Sequence, residues 1–377
     1  MNRVFPFILD QKLLTKVISM GEFWQLNKFS NIILLFKICL IICGLFVISC
    51  EKDIAPLQVD ERGEIASFWE FWENSPGDRI NAITQNSHND FISSADIGIK
   101  RSTDGGQTWE QISDEFAMTL ETDPVNDAIF GGFTAGLTGW LEYSVDNGKT
   151  WLQPDSGIDS DVQRFLFLPS GTILVGGTTH DESPGGIYRS TDHGKTWTSS
   201  PLGFMIGVPA LVKTSQNTIF ATILHYLDHS INGIYRSSND GKTWKKLSTT
   251  FENAFPYRLV ISSKDELNLL TTTGDFYLSK NQGETWQFVT NIERAEDMII
   301  DPFDNMIISF YDQEKQSFNI LLVKIDNGVF TSSVLEGLPK MSYDIKSMYI
   351  DRQGFVYIGT LDKGAFKSKM PLNTLTP

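Results

Sequence analysis

From residue 65 onward, short apolar stretches alternate in a regular order with clusters of Gly, Asp, Asn and Ser. The stretches at 80–83, 165–168, 259–261 and 348–350 read as first strands, each followed by a turn of small polar residues. Second strands follow at 172–175, 218–221 and 355–358. A loop then leads to a third strand, a polar turn ends it, and a Trp opens a fourth. The expected chain is therefore all-β, made of repeated four-stranded units.

The turn after the third strand carries the repeat. It reads STDGGQTW from Ser102, SVDNGKTW from Ser144, STDHGKTW from Ser190, SSNDGKTW from Ser237 and SKNQGETW from Ser279. The serines are 42, 46, 47 and 42 residues apart, a four-stranded blade's worth of chain. Two eroded copies continue the series. Lys324 stands where the next Ser is due, with Asp326 and Gly328 retained, and Ser368 follows 44 residues later in a Phe-Lys-Ser context.

This pattern resembles the Asp-box (BNR) repeat of sialidases, sortilin-type receptors, some xyloglucan-degrading enzymes and photosystem assembly factors. The resemblance covers roughly residues 65 to 370. It implies a single seven-bladed β-propeller. The last unit runs out of chain after its third strand, so the stretch IASFWEFW at 65–72 is expected to supply the missing one and close the ring.

Within each box the residue types explain themselves as a turn. The carboxylate or amide at Asp104, Asp146, Asp192, Asn239 and Asn281 accepts hydrogen bonds from backbone N–H groups ahead of it. A Gly takes a positive φ, and Trp109, Trp151, Trp197, Trp244 and Trp286 supply a large packing face. The Asn at 239 and 281 replaces the carboxylate without breaking the repeat, which argues against acid chemistry or Ca²⁺ ligation there. In propellers of this kind the boxes lie opposite the ligand face.

The first fifty residues follow another pattern. Lys28 and Lys37 precede an apolar run over 38–48, short of the roughly 20 residues that span a bilayer. The sequence Val47-Ile48-Ser49-Cys50 resembles a bacterial lipobox, which implies that Cys50 carries a diacylglycerol and becomes the mature amino terminus. The alternative is an uncleaved anchor helix over 32–48. The expected organisation is a signal peptide at 1–49 (starting at Met1 or Met20), a tether at 50–64 and the propeller at 65–377. Such a protein is exported and membrane-held at the cell envelope, with the outer membrane as the expected location. Cys39 and Cys43 fall inside the leader, so no disulfide framework remains.

Charge narrows the partners. Residues 50–377 carry 26 basic against 44 acidic residues, a net charge of −18 that repels phosphate backbones and excludes nucleic acid as a partner. No cofactor or metal is expected, and the propeller reads as a monomer. His180, His225 and His229 sit in long polar loops without metal-binding register, and they read as a solvated rim.

Aligning the innermost strands puts Ala82, Thr119, Arg164, Ala210, Arg258, Asp297 and Ser347 at equivalent positions facing the central channel. Small residues are expected there, so Arg164, Arg258 and Asp297 stand out. The two guanidiniums suit a carboxylate ligand; an Arg–Asp pair plugging the channel is the alternative. Tyr226, Tyr257 and Trp140 are candidate sugar-stacking rings. The function expected is non-catalytic binding or scaffolding, with a protein or carbohydrate ligand on the face opposite the boxes. The alternative is a sialidase-like exo-glycoside hydrolase. That family resemblance implies an arginine trio (Arg79, Arg164 and Arg258 here), a Tyr–Glu pair and an acid Asp. Against it, Arg79-Ile80-Asn81 lacks the family's Pro, no Tyr–Glu pair is assignable from spacing, and sialidases of this class resemble six-bladed rings.

Overall fold

The computed structural model describes residues 67–375, apart from 136–137, 159, 179–185, 203–204, 226, 249–250, 252–253, 327–328 and 341–344. The leader, the tether, Cys50, His180 and Tyr226 lie outside the described residues.

Seven antiparallel sheets follow one another along the chain. Their innermost strands are Ile80–Gln85, Ala117–Thr122, Asp161–Phe167, Ile206–Lys213, Pro256–Ile261, Ala295–Ile300 and Ile345–Ile350. Each packs on the next and the seventh returns to the first, so the sheets are seven blades of a propeller around a central channel. Six blades have four strands. In blade two the fourth is reduced to a single bridge from Leu152 to Tyr143. Pro154, which has no N–H to donate to a ladder, stands two residues further on.

Blade seven is completed from the other end of the chain. Trp69–Phe71 pairs antiparallel with Ala365–Ser368, Trp69 opposite Ser368 and Phe71 opposite Phe366. The expected closing strand at 65–72 thus forms its ladder over its later part, and the Trp72 N–H extends it to the Ala365 carbonyl at 2.9 Å. Ile65 and Ala66 fall outside the described residues. The Trp69 indole is 3% exposed and donates to the Leu335 carbonyl at 2.9 Å, while Trp72 meets Phe91 and Trp109 edge-on. This segment therefore ties blades six, seven and one together.

The apolar core is a series of layers between neighbouring blades. Between blades two and three, for example, Phe130, Tyr143, Val162, Val175 and Trp197 pack together. Burying each such side chain contributes about 1.5–3 kcal/mol, so the layers between blades carry the ring's stability.

The five complete boxes share one hydrogen-bond pattern. In the first, the Ser102 hydroxyl donates to Asp104 at 2.8 Å and accepts from the Gly106 N–H at 2.8 Å. Asp104 also accepts from the Thr108 N–H at 2.9 Å and its hydroxyl at 2.6 Å. Asp146 and Asp192 repeat these bonds. Asn239 and Asn281 keep the backbone bond, but their amide N–H donates to the Thr hydroxyl, each at 2.9 Å. The indoles of Trp197, Trp244 and Trp286 donate to the carbonyl of their own box Gly.

Strand register fixes which end of the ring each feature occupies. Gln85, Phe91 and Ser102 lie at one end of blade one, and Ile80, Ala95 and Gly98 at the other. The boxes share the first end with the turns between first and second strands. The entries to the innermost strands and the loops between second and third strands occupy the opposite end.

Candidate functional site

Every innermost strand is bulged near its start, at the end opposite the boxes. Register slips at Asn81, Met118, Gln163, Tyr257, Glu296 and Lys346, and in blade four Val208 and Pro209 share one partner. A bulge releases a carbonyl from the ladder and re-aims the next side chain. The next residues are Ala82, Thr119, Arg164, Ala210, Arg258, Asp297 and Ser347, the set that alignment assigned to the channel, and all seven line it. The cavity they enclose is about 620 Å³.

The two arginines converge on one atom. Arg164 donates through Nε to the Pro209 carbonyl at 3.0 Å, and Arg258 through Nη1 to the same oxygen at 2.9 Å. Arg164 Nη1 also holds the Gln163 carbonyl at 2.8 Å, so two carbonyls of bulged segments are satisfied by guanidinium. Arg258 lies 4.3 Å over the Tyr257 ring, and its Nε is 2.8 Å from Asp297 Oδ1, an ion contact off the line of a hydrogen bond. Asp297 is oriented in turn, accepting from the Met298 N–H at 2.8 Å.

The Arg–Asp pair envisaged as a plug therefore forms, but it uses only one of the two arginines. Arg164 is held by carbonyl dipoles and has no carboxylate within salt-bridge distance among the described residues. Burial, then the charge of Arg258, lower its pKa to about 10, and Asp297 works against them. It remains a cation at neutral pH.

One layer deeper, two residues along each strand, lie Thr84, Glu121 and Tyr349. Glu121 lines the cavity and is exposed to its interior, yet protein surrounds it at longer range. Removal from bulk water raises its pKa to about 7, against the pull of Arg164 and a long 3.5 Å contact from the Thr84 hydroxyl. Burial, then the Glu121 charge, hold the Tyr349 phenol above its usual value. Sequence reading missed Glu121; the same period of two, taken one step past Thr119, points to it. The Thr178 hydroxyl also lines the cavity, 2% exposed and with no hydrogen-bond partner among the described residues.

Other expected site residues lie elsewhere. Arg79 does not line the cavity: its Nε donates to Asn81 at 3.2 Å and its guanidinium covers Phe116 at 4.7 Å. The arginine trio is thus a converged pair with a third residue outside. The His225 ring accepts from the backbone N–H groups of Leu227 and Asp228 at 3.0 and 2.7 Å, and His229 packs edge-on to Phe255. His225 thus shapes its own loop, and His229 packs that loop against the entry to blade five. Trp140 stacks on Phe133 and donates to Glu142 at 3.1 Å.

The BNR/Asp-box repeat matches residues 100–111 and 188–199, the first and third boxes. With seven blades closed into a ring, the chain is a β-propeller that carries Asp-box repeats.

Among curated proteins the propeller is similar to a sialidase of Bacteroides fragilis, 28% identical over 139 residues; the match covers 32% of this chain and 20% of the sialidase. Among solved structures it is similar to the GH74 xyloglucanase of Xanthomonas campestris (TM-score 0.61, 13% identity, covering 83% of this chain and 55% of that one). It is also similar to YCF48 bound to D1 peptide (TM-score 0.53, 15% identity, covering 83% and 99%). The propeller thus spans about half of the xyloglucanase and nearly all of YCF48. At these identities the solved structures share its fold, and that fold serves glycoside hydrolases and peptide binders alike.

Proposed function

We propose that this protein is a non-catalytic binding or scaffold propeller of the bacterial cell envelope, held by a lipid on Cys50. Its ligand is a protein or glycan presenting an anionic group to the channel mouth opposite the boxes. The observation that carries this reading is the convergence of Arg164 and Arg258 on the Pro209 carbonyl, at 3.0 and 2.9 Å, inside a cavity of about 620 Å³. Both guanidiniums are pre-oriented, so little side-chain entropy is lost when an anion arrives. The Thr178 hydroxyl, without a hydrogen-bond partner among the described residues, supplies a neutral hydrogen-bonding group in the same wall. A structural neighbour of the same size binds a peptide, which supports a protein ligand.

The likeness to a sialidase favours a second reading, sialoside hydrolysis. The geometry gives it two arginines and leaves out Arg79. A fluorogenic sialoside assay on the full chain decides between them. We expect no turnover; turnover abolished by Arg258→Ala overturns the binding reading. For the anchor, Cys50→Ser is expected to release the protein from membranes, and a variant that still partitions there removes the lipid from the account.

A further inference from the structure

Glu121 is out of place in a lumen read as an anion seat. Its carboxylate shares one cavity with Arg164 and Arg258, and its single hydrogen bond among the described residues is the 3.5 Å contact from Thr84. Asp297, the other carboxylate lining the cavity, is already committed to Arg258 at 2.8 Å. Arg164 lines the same cavity and attracts the Glu121 charge, so an entering anion must share that cation with it.

The groups around Glu121 come from several blades. Blade one contributes Thr84, blade three Arg164 and blade seven Tyr349. Arg258, Asp297 and Lys346 line the same cavity further round. With Glu121 ionised, Arg164, Arg258 and Lys346 share the cavity with two carboxylates; with Glu121 neutral they share it with Asp297 alone, so protonation adds one unit of positive charge for a ligand.

We propose that the lumen takes up its anion together with a proton, which resides on Glu121. This rests on the binding reading above and adds its regulation. Two ligands of one cavity that each favour the other's binding are linked reciprocally: the anion favours protonation of Glu121, and protonation favours the anion. The Glu121 carboxyl is exposed to the lumen, so its proton exchanges without any opening of the ring. The group's position near pH 7 puts the exchange within reach of modest acidification.

The test uses the full chain and inorganic sulfate, whose charge is constant between pH 5.5 and 8.5. Sulfate affinity is expected to fall about tenfold or more across that range, as Glu121 ionises beside Arg164. Glu121→Gln is expected to bind at pH 8.5 as tightly as wild type does at pH 5.5, with no dependence between. Wild-type affinity that is flat with pH, or a pH dependence that survives in Glu121→Gln, overturns the coupling and leaves the anion seat standing. Absence of sulfate binding at every pH removes both. An NMR titration of the Glu121 carboxyl in the unliganded wild type checks the coupling without the variant. A midpoint near 7, moving upward with sulfate, supports it; a midpoint near 4.5 that sulfate does not move overturns it.

Discussion

At Asp104 the carboxylate accepts from Thr108, whereas at Asn239 the amide donates to Thr243, and the box closes either way. What differs is the response to acid. The Thr108 hydroxyl first, then its N–H, and the Ser102 hydroxyl hold Asp104 down at about 2, and the corresponding Thr and Ser bonds do the same for Asp146. At Asp192 burial pushes upward, but the Thr196 and Ser190 bonds outweigh it and the result is again about 2. A carboxyl depressed in the folded chain stabilises it above its unfolded pKa of about 4, and that contribution is lost as pH falls towards 2. Asn boxes have no such term. Asp104→Asn is therefore expected to leave stability nearly unchanged at pH 7 and to flatten its decline below pH 4, as read by urea melts across pH. A large loss at pH 7 contradicts the structural role of the carboxylate. Trp197→Ala, which empties a position 5% exposed between blades two and three, is expected to cost about 3–5 kcal/mol in the same assay.

Among the structural elements, the turns between first and second strands form a second set of links between blades. Ser215 donates its N–H and hydroxyl to Asp265 of the next blade at 2.7 and 2.6 Å, and Ser263 does the same to Asp304 at 2.6 and 2.7 Å. Ser87 and Asp127 repeat the pair. Where that turn position is Pro124, Pro169 or Pro302, with no N–H to give, the next blade carries Gly171, Asn217 or Gly354 instead of Asp. Asp265→Ala is expected to cost about 1 kcal/mol, measured by urea denaturation, and no change indicates that water replaces the clasp. These pairings were not legible in the sequence, because Ser215 and Asp265 are 50 residues apart and meet only once the ring closes. The boxes, the period and the seven channel positions were legible, since a complete box recurs in five units and a channel position in all seven. Glu121 was not, because in AMTLET it reads as one more polar residue of an alternating strand. Its distinction comes from Arg164, on another blade. Nor could the sequence show that the bulges free the Gln163 and Pro209 carbonyls that now orient the arginines.

For the whole molecule, closure and binding depend on the same ring. The channel-facing residues converge only if blade seven meets blade one, and Trp69–Phe71 supplies the strand that completes blade seven. Trp69→Ala, which removes a 3% exposed indole and its bond to Leu335, is expected to cost about 3–5 kcal/mol and to weaken anion binding with it. The most direct measurement is a sulfate titration of the full chain, followed on the arginine Nε–Hε NMR signals. The account predicts that Arg164 and Arg258 shift together with one affinity while Arg79 stays still. Shifts confined to Arg79, or scattered over outer arginines such as Arg236, would contradict the channel as the binding seat.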